Sequence, residues 1–339
     1  MDGSATKAES SQPVAAVVYN PVNVPVASLR AAVATAEREH GWAASRWFET
    51  SSDDGGGAAT RAAIATSPAV VLAAGGDGTV RAVAEQLHPT GIPLALLPSG
   101  TGNLLARNLH LALDDLPRAV DTAFTGTPLR VDIALAEYRT VDGTLHRHTF
   151  VVMAGIGLDA HMAANTNSAL KKRIGWAAYA DPIARSVLTG ERIRLRYRVD
   201  GGPAHTLSAH TVIVGNCGTL TANILLLPDA IIDDGLLDVV VFRPRGPIGW
   251  AVIGSRLATN GLFARSRAGQ WLMGRAPELE ALKYLQASRF EARFDTPQHL
   301  ELDGDPVGRA TAVRLTVLHN GLTLRVAVLP DSRVPSATC

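Results

Sequence analysis

The chain has 339 residues, of which 47% are hydrophobic and 19% charged, and its formal net charge is +1. This length favours two domains of ordinary size, and the composition is that of a globular chain rather than a disordered one. The small net charge argues against a nucleic-acid binder that depends on bulk positive charge.

The first twelve residues are polar, and we expect a frayed tail rather than a signal peptide, because they contain no apolar core region. No run reaches the ~18 apolar residues of a membrane span. The cysteines are Cys217 and Cys339, which make no disulfide framework. Together these features predict a cytoplasmic protein.

Residues 13–131 alternate between strand-like and helix-like segments, which predicts a parallel sheet covered by helices on both faces. The predicted strands are Ala15–Tyr19, Ser45–Glu49, Ala69–Ala74 and Pro93–Leu97. The predicted helices are Val26–His40, one ending near Thr66, Thr79–Leu87 and one starting at Gly102.

The pattern changes after Leu129, and residues 132–319 are predicted to form a second, antiparallel β-rich and sandwich-like domain. Its predicted strands are Arg130–Arg139, His146–Met153, Arg192–Val199, His205–Val214, Leu236–Phe242, Phe290–Phe294, Ala312–Leu318 and Leu322–Val328, with a helix at Ser168–Leu188. Asn320-Gly321 predicts a hairpin between the last two strands. A return of residues 320–331 to the first domain stays open, and the active site is expected in the cleft between the domains.

Two glycine-rich turns each follow a predicted strand and precede a predicted helix. The first is Gly75-Gly76-Asp77-Gly78-Thr79 and the second is Ser99-Gly100-Thr101-Gly102-Asn103. Converging N–H groups at a helix N-terminus bind phosphate, and two such turns on successive parallel strands lie at the same carboxyl edge. Asn20, which ends the first strand, would add a donor there. The alternative for each turn is an ordinary strand-to-helix connection, with Asn20 a simple turn residue.

Several carboxylates accompany these turns. Asp77 beside a phosphate makes sense if a metal ion lies between them or if Asp77 faces an acceptor hydroxyl. Asp303-Gly304-Asp305 places two more acids near the C-terminus, although Asp-Gly is also common in plain hairpins. Asp132 and the Asp233-Asp234-Gly235 turn complete the set, and the latter has a simple turn as its alternative. A group of carboxylates of this kind suits Mg²⁺-assisted phosphoryl transfer.

The two glycine-rich turns, in their order along the chain, resemble motifs in the catalytic domain of the diacylglycerol and sphingosine kinase family. Gly155–Ala160, Pro228 with Asp233-Asp234-Gly235, and Leu302-Asp303-Gly304-Asp305 resemble that family's later motifs. The resemblance runs from about Val17 to Val328. One departure is Asn20-Pro21-Val22-Asn23, where the family usually has a glycine shortly after Asn-Pro.

The resemblance implies an ATP-dependent lipid kinase with Mg²⁺ and assigns the site residue by residue. It makes Asp303 the base, Asp77 an essential acid, and Asp305 an acid where the family usually has Glu. It implies a structural Mg²⁺ site at Asp234 with the carbonyls of Ile231 and Leu236, and it places Asp132 as an acid facing the cleft beside the metal. The implied nucleotide contacts are Asn20, Pro21, Thr50, Gly75, Gly76, Asp77, Gly78, Thr79, Gly100, Thr101 and Asn103.

The implied acceptor is a membrane lipid, with diacylglycerol the default, so we expect peripheral contact with a membrane surface and no nucleic-acid partner. Two basic, aromatic segments, 171–179 and 262–275, are candidates for that contact, with packing in a core as the alternative. A sphingoid base, ceramide or another lipid alcohol stays open as acceptor, and so does a homodimer. The rival functions are an NAD kinase, because that family shares the first turn, and a catalytically silent nucleotide- or lipid-binding regulator.

Overall fold

The computed structural model describes residues 12–51, 54–157, 192–220, 224–246, 249–250, 253 and 281–327. The predicted helix at Ser168–Leu188, the end of the Gly155–Ala160 motif and both basic, aromatic segments lie outside the described residues. In the part that is described, none of the helices combines the length and apolar character needed to cross a bilayer.

The first part of the chain alternates strands and helices as predicted. The strands are β1 (Val14–Tyr19), β2 (Ala43–Glu49), β3 (Val70–Gly75) and β4 (Leu94–Pro98). The helices are α1 (Val26–His40), α2 (Gly57–Ile64), α3 (Asp77–Leu87), α4 (Leu104–Asn108) and α5 (Leu116–Thr125).

These four strands pair in parallel in the order β4-β3-β1-β2. All six residues of β3 are buried, as expected for a central strand covered on both faces. Helix α1 buries Leu29, Val33 and Ala36 against this sheet and ends at Gly41, whose φ of 69° only glycine adopts readily. The parallel register aligns the carboxyl ends of β1, β3 and β4, which is where the glycine turns begin.

The second part of the chain is antiparallel. Its strands are β5 (Thr127–Thr140), β6 (Leu145–Phe150), β7 (Met153–Ile156), β8 (Ile193–Val199), β9 (His205–Ala209), β10 (Thr211–Gly215), β11 (Leu237–Phe242), β12 (Leu282–Ala287), β13 (Arg289–Leu302) and β14 (Asp305–Val326). Buried and exposed residues alternate along β8, so one face of this part covers a core and the other faces outward. The predicted fold class, a parallel nucleotide-type sheet with an antiparallel β-rich part, is confirmed.

Several predicted strand limits were wrong. The segment His205–Val214 is interrupted at His210, and His146–Met153 divides into β6 and β7. Strand β13 extends eight residues past Phe294, to Leu302. These breaks and extensions depend on which neighbouring strand pairs with each segment, which alternation along one strand does not reveal.

The predicted hairpin at Asn320-Gly321 was also wrong, because β14 runs through it without turning back. Its partner β5 pairs with both halves of β14, and the register shifts between Leu318 and Leu322. Asn320 has φ of 54°, so this residue supplies the positive φ of a bulge instead of a turn. Beyond the bulge, Leu324 pairs with Leu94, which joins β14 to the edge of the parallel sheet.

Candidate active site

The predicted nucleotide residues converge at one edge of the parallel sheet. Tyr19 lies opposite Ala74 and Glu49, and Gly75 lies opposite Pro98. The residues that follow these strand ends therefore meet at the same place. They are Asn20, Pro21, Thr50, the turn Gly75–Thr79 and the turn Ser99–Asn103.

The first glycine turn opens helix α3. Gly76 is its N-cap residue and has no side chain to satisfy the first-turn amides, and Asp77, Gly78 and Thr79 form the first turn. The first intrahelical hydrogen bond runs from the Val80 N–H to the Gly76 carbonyl at 3.0 Å. The earlier amides lack intrahelical acceptors, and they carry the positive end of the helix dipole. This is the arrangement that binds a phosphate group.

The second glycine turn lies directly against the first. A Cβ placed on Gly100 would be 2.6 Å from the Gly76 Cα, closer than real Cβ atoms approach. The Ser99 N–H donates to the Gly75 carbonyl at 3.1 Å, so the turns are also hydrogen-bonded. Asn103 closes the second turn, because its side chain accepts from the Gly100 N–H and donates to the Gly100 carbonyl. Glycine at position 100 therefore allows the main chains of the two turns to touch, which a side chain there would prevent.

Asp77 connects the two turns and starts the short helix α4. Its Oδ1 accepts from the Leu104 N–H at 2.6 Å, and a Cβ on Gly102 would overlap its Oδ2. Burial raises the pKa of this carboxyl, while the backbone N–H bonds oppose that shift. Asp77 thus has a structural role in this structure, and the catalytic role assigned to it stays a prediction.

The remaining predicted nucleotide residues form the rim of this edge. The Asn20 Oδ1 accepts from the Val22 N–H at 3.0 Å, which is the turn interaction given as its alternative role. The Thr50 N–H donates to the Tyr19 carbonyl at 2.9 Å. Pro21 and Thr101 are exposed. Their contacts with a nucleotide stay predictions, as do those of the glycine turns.

The hairpin that joins β13 to β14 brings two acids to this edge. Leu302 pairs with Asp305, and the two residues between them, Asp303 and Gly304, have φ of 51° and 86°. Positive φ at both positions is the signature of a tight type I′ turn. The same four residues therefore form a hairpin turn, which was the alternative interpretation, and carry the two acids of the predicted motif.

Asp303 is buried and fixes the hairpin to the chain before β7. Its Oδ2 accepts from the Val151 N–H at 2.8 Å, and its Oδ1 accepts from the amides of Val152 and Met153 at 2.8 and 2.9 Å. Burial raises the pKa of Asp303 to about 6, against the effect of those three N–H donors. Both carboxylate oxygens are engaged, so the role of base assigned to this residue stays a prediction that the geometry does not favour.

Asp305 is the acid that reaches the first glycine turn. A Cβ on Gly78 would lie 2.9 Å from its Oδ2, which also accepts from Arg81 Nη2 at 2.9 Å. Its side chain is 46% exposed to solvent. Sequence reasoning missed Arg81, although it follows Asp77 by four residues and so lies on the same face of α3.

Asp132 connects the loop at Gly235 to the bulge of β14 at Asn320. Its Oδ2 accepts from the Gly235 N–H at 2.6 Å, and its Oδ1 accepts from the Asn320 N–H at 2.6 Å and lies 2.9 Å from His319 Nδ1. The side chain is completely buried. With all these bonds made, Asp132 has little capacity left for a metal ion, and its assignment to the metal site stays a prediction.

The predicted structural magnesium site lies at the loop that contains Asp234. Its Oδ1 accepts from the Leu236 N–H at 2.9 Å, and its pKa is raised by burial and by the negative charges of Asp132 and Asp233. Negative charge is therefore concentrated around Asp234, and the backbone carbonyls of Ile231 and Leu236 lie in the same loop. A hard cation that prefers oxygen ligands fits these donors. No three His, Cys, Asp or Glu side chains converge as a ready-made metal site within the described ranges.

We predict that Gly100→Ala separates the two glycine turns. Its Cβ meets main chain that cannot turn aside, so the free energy of unfolding should fall by about 1–3 kcal/mol. The affinity for ATP, measured by isothermal titration calorimetry, should fall at least about tenfold, or about 1.4 kcal/mol.

The matched control is Gly91→Ala, in the turn between α3 and β4. Gly91 has φ of 72° and no atom near its Cβ position, so alanine adds backbone strain without a clash. This variant should lose about 1 kcal/mol of stability and keep its ATP affinity. Equal affinity loss in both variants would contradict the proposed contact.

We predict that Asp303→Asn and Asp305→Asn differ in stability. An asparagine at 303 would place an NH₂ group against backbone N–H donors, which should lower the free energy of unfolding by about 1–3 kcal/mol. Asp305 is half-exposed, so its replacement should change stability by less than about 1 kcal/mol. Denaturant unfolding followed by circular dichroism makes the comparison, and similar losses for both would contradict the assignment of Asp303 as the anchor.

Comparison with known proteins agrees with this architecture. The profile of the diacylglycerol kinase catalytic domain matches residues 15–136, and that of the YegS C-terminal NAD kinase beta sandwich-like domain matches residues 151–324. A Pseudomonas aeruginosa protein named "Probable lipid kinase YegS-like" is 32% identical over 250 residues, which are 70% of this chain and 70% of that protein.

Two further relatives are matched over part of their length. A Synechocystis protein described as uncharacterized is 27% identical over 255 residues, which are 75% of this chain but 54% of that protein. A Pseudomonas putida protein named "Probable lipid kinase YegS-like" is 32% identical over 204 residues, 58% of this chain and 63% of that protein. The chain thus spans less than two thirds of the length of these two relatives.

A crystal structure described as a diacylglycerol kinase from Bacillus anthracis superposes with a TM-score of 0.62 at 18% identity, covering 94% of this chain and 98% of that one. At this identity the match supports the fold alone. The family resemblance found in the sequence is confirmed by the two profile matches and by the relative from Pseudomonas aeruginosa. The chain belongs to the family that joins a diacylglycerol kinase catalytic domain to a YegS-type C-terminal domain.

Proposed function

We propose that the chain is an ATP-dependent lipid kinase that transfers the γ-phosphoryl group of ATP to a lipid hydroxyl, with diacylglycerol as the first acceptor to test. The observation that carries the proposal is the position of Asp305. This acid from the β-rich part lies beside Gly78 of the phosphate-binding turn and is held by Arg81. A phosphate on the turn and an acid across the cleft are the two parts that phosphoryl transfer to an alcohol requires.

In the proposed reaction, the triphosphate lies against the amides of the first glycine turn. The acceptor hydroxyl oxygen forms a bond to the γ-phosphorus while the bond from that phosphorus to the β-phosphate oxygen breaks, and ADP leaves. The hydroxyl proton passes to a carboxylate. Asp305 is better placed for that role than Asp303, because it is partly exposed and Asp303 already accepts three backbone hydrogen bonds.

Arg81 has a positioning role in this proposal. Its Nη2 fixes one oxygen of Asp305, and its charge lowers the pKa of the buried Asp303, after the larger effects of burial and of the backbone N–H donors. A guanidinium held on α3 beside Asp305 would also offset the repulsion of that acid toward an incoming phosphate.

Magnesium fits the donors of the Asp234 loop, where Asp234 and the carbonyls of Ile231 and Leu236 would hold it. Bound Mg²⁺ would neutralise phosphate charge during transfer.

The proposal is tested with purified protein, radiolabelled ATP and Mg²⁺. Three acceptor mixtures are offered separately: diacylglycerol, ceramide with a sphingoid base, and NAD. We expect label in the diacylglycerol fraction, recovered as phosphatidic acid. Label in NAD alone would overturn the lipid assignment, and ATP binding without any labelled acceptor would favour a catalytically silent regulator.

Asp305→Asn should lower kcat at least about 100-fold, the range that general acid–base catalysis contributes, while ATP affinity stays within about threefold. Asp114→Asn, which removes an exposed acid outside the cleft, is the matched control and should retain full activity. Unchanged turnover in Asp305→Asn would remove Asp305 from the proposed mechanism.

A further inference from the structure

The outward face of the antiparallel sheet carries an unusual number of arginines. On β8, residues 193, 195 and 197 face the core, and Arg194, Arg196 and Arg198 face outward. The neighbouring strands β13, β14, β5 and β6 continue this face. Their register decides which charged side chains lie beside one another.

One cross-strand row on this face is electrostatically compensated. Following the register from β8 to β6, it reads Arg198, Glu291, Arg314, Glu137 and Arg147. Arg314 lies 2.7 Å from Glu291 and 3.5 Å from Glu137, and Arg147 lies 2.6 Å from Glu137. Alternating signs directly opposite one another stabilise a sheet, so this row has a structural explanation.

The adjacent row is not compensated. In the same register it places Arg196 directly opposite Arg293, then Ala312, then Arg139. Within the described chain, none of these three arginines forms an ion pair, and Arg139 donates only to the Gly143 carbonyl. Like charges directly opposite each other destabilise a sheet. Pairing of opposite charges therefore explains the neighbouring row but does not explain the three arginines of this one.

The small side chain of Ala312 leaves space between the guanidinium groups. A groove of about 570 Å³ opens there, and it is lined by these three arginines together with Arg198 and Arg314. Its acidic lining residues are Glu137 and Glu291, which already pair with Arg314. The groove is therefore positively charged, and guanidinium groups favour phosphate oxygens as partners.

Exposed apolar side chains stand at one end of the uncompensated row. Leu145 lies directly opposite Arg139 and is 59% exposed, and Val141, in the turn between β5 and β6, is 63% exposed. Among the described residues, the other large hydrophobic side chain with such exposure is Val22. Arginines beside exposed aliphatic side chains suit a surface that is anionic outside and apolar beneath.

We propose that Arg139, Arg196 and Arg293, here named the arginine row, bind the phosphate groups of anionic phospholipids at a bilayer surface. Val141 and Leu145 enter the interface beside them. A nucleic acid is a weaker fit, because the row contains no aromatic side chain on which bases could stack. A soluble phosphate would use the guanidinium groups but leave the exposed aliphatic pair without a role.

Docking and transfer use different residues, so docking does not depend on which lipid is phosphorylated. Sedimentation with vesicles can be measured without ATP, so failure of the kinase assay and failure of docking are distinguishable. The test uses the full chain with phosphatidylglycerol-containing vesicles and with vesicles of phosphatidylcholine alone. Inorganic phosphate and duplex DNA serve as competing ligands.

We expect binding to the anionic vesicles only, weakening as salt is raised. The double variant Arg196→Gln/Arg293→Gln should lose at least about tenfold in vesicle affinity, because each arginine near an anionic surface contributes about 1 kcal/mol. Val141→Ser/Leu145→Ser should also weaken binding, with its salt dependence retained. The matched control Arg38→Gln/Arg118→Gln removes two exposed arginines of the first part of the chain and should change the affinity by less than about twofold.

Four results would overturn the proposal. They are unchanged vesicle affinity in the Arg196/Arg293 double variant, an equal loss in the control, displacement of the vesicles by millimolar inorganic phosphate, and tighter binding to duplex DNA than to vesicles. The first two would remove the arginine row from docking, and the last two would identify a soluble-anion site or a nucleic-acid site. All the replaced side chains are exposed, so we expect each variant to keep its fold. Unfolding curves of each variant check this.

Discussion

The buried carboxylate of Asp303 is the interaction on which the geometry of the cleft depends. It receives three backbone N–H groups from residues 151–153 and sits in a two-residue turn. The turn can therefore take only one position relative to β7. That position brings Asp305, two residues later, to the first glycine turn. The position of Asp305 beside Gly78 thus depends on main-chain donors, which do not change rotamer.

Helix α3 is the counterpart of this hairpin on the other side of the cleft. Its first turn offers amides to a phosphate, Arg81 in its second turn holds Asp305, and Glu85 one turn later accepts from the Thr149 N–H at 3.1 Å. A single helix therefore contacts the nucleotide edge and two elements of the β-rich part. The free amides of the first glycine turn and the side chain that holds Asp305 thus belong to the same helix.

The sequence predicted those parts of the site that are local. A buried strand, a glycine turn and a helix start are adjacent along the chain, so Gly75–Thr79 and Ser99–Asn103 were found from pattern alone. The amides that Asp303 binds lie about 150 residues away along the chain, and no local pattern reveals them. The Asn320-Gly321 pair misled for a different reason, since positive φ serves a bulge as well as a hairpin. The arginine row emerges only from register, because its members lie on three strands whose order is not sequential.

The bulge in β14 has a consequence for motion between the two parts of the molecule. Strand β14 crosses from the hairpin at Asp303 to the parallel sheet, and β5 accompanies it along both halves. Asp132 ties the irregular residues at 319–320 to the loop at Gly235. Among the described residues, the two parts of the chain are therefore joined by a hydrogen-bonded ribbon of two strands rather than by a single strand. Any rotation of one part relative to the other would have to twist this ribbon, and the buried bonds of Asp132 at the bulge would oppose it.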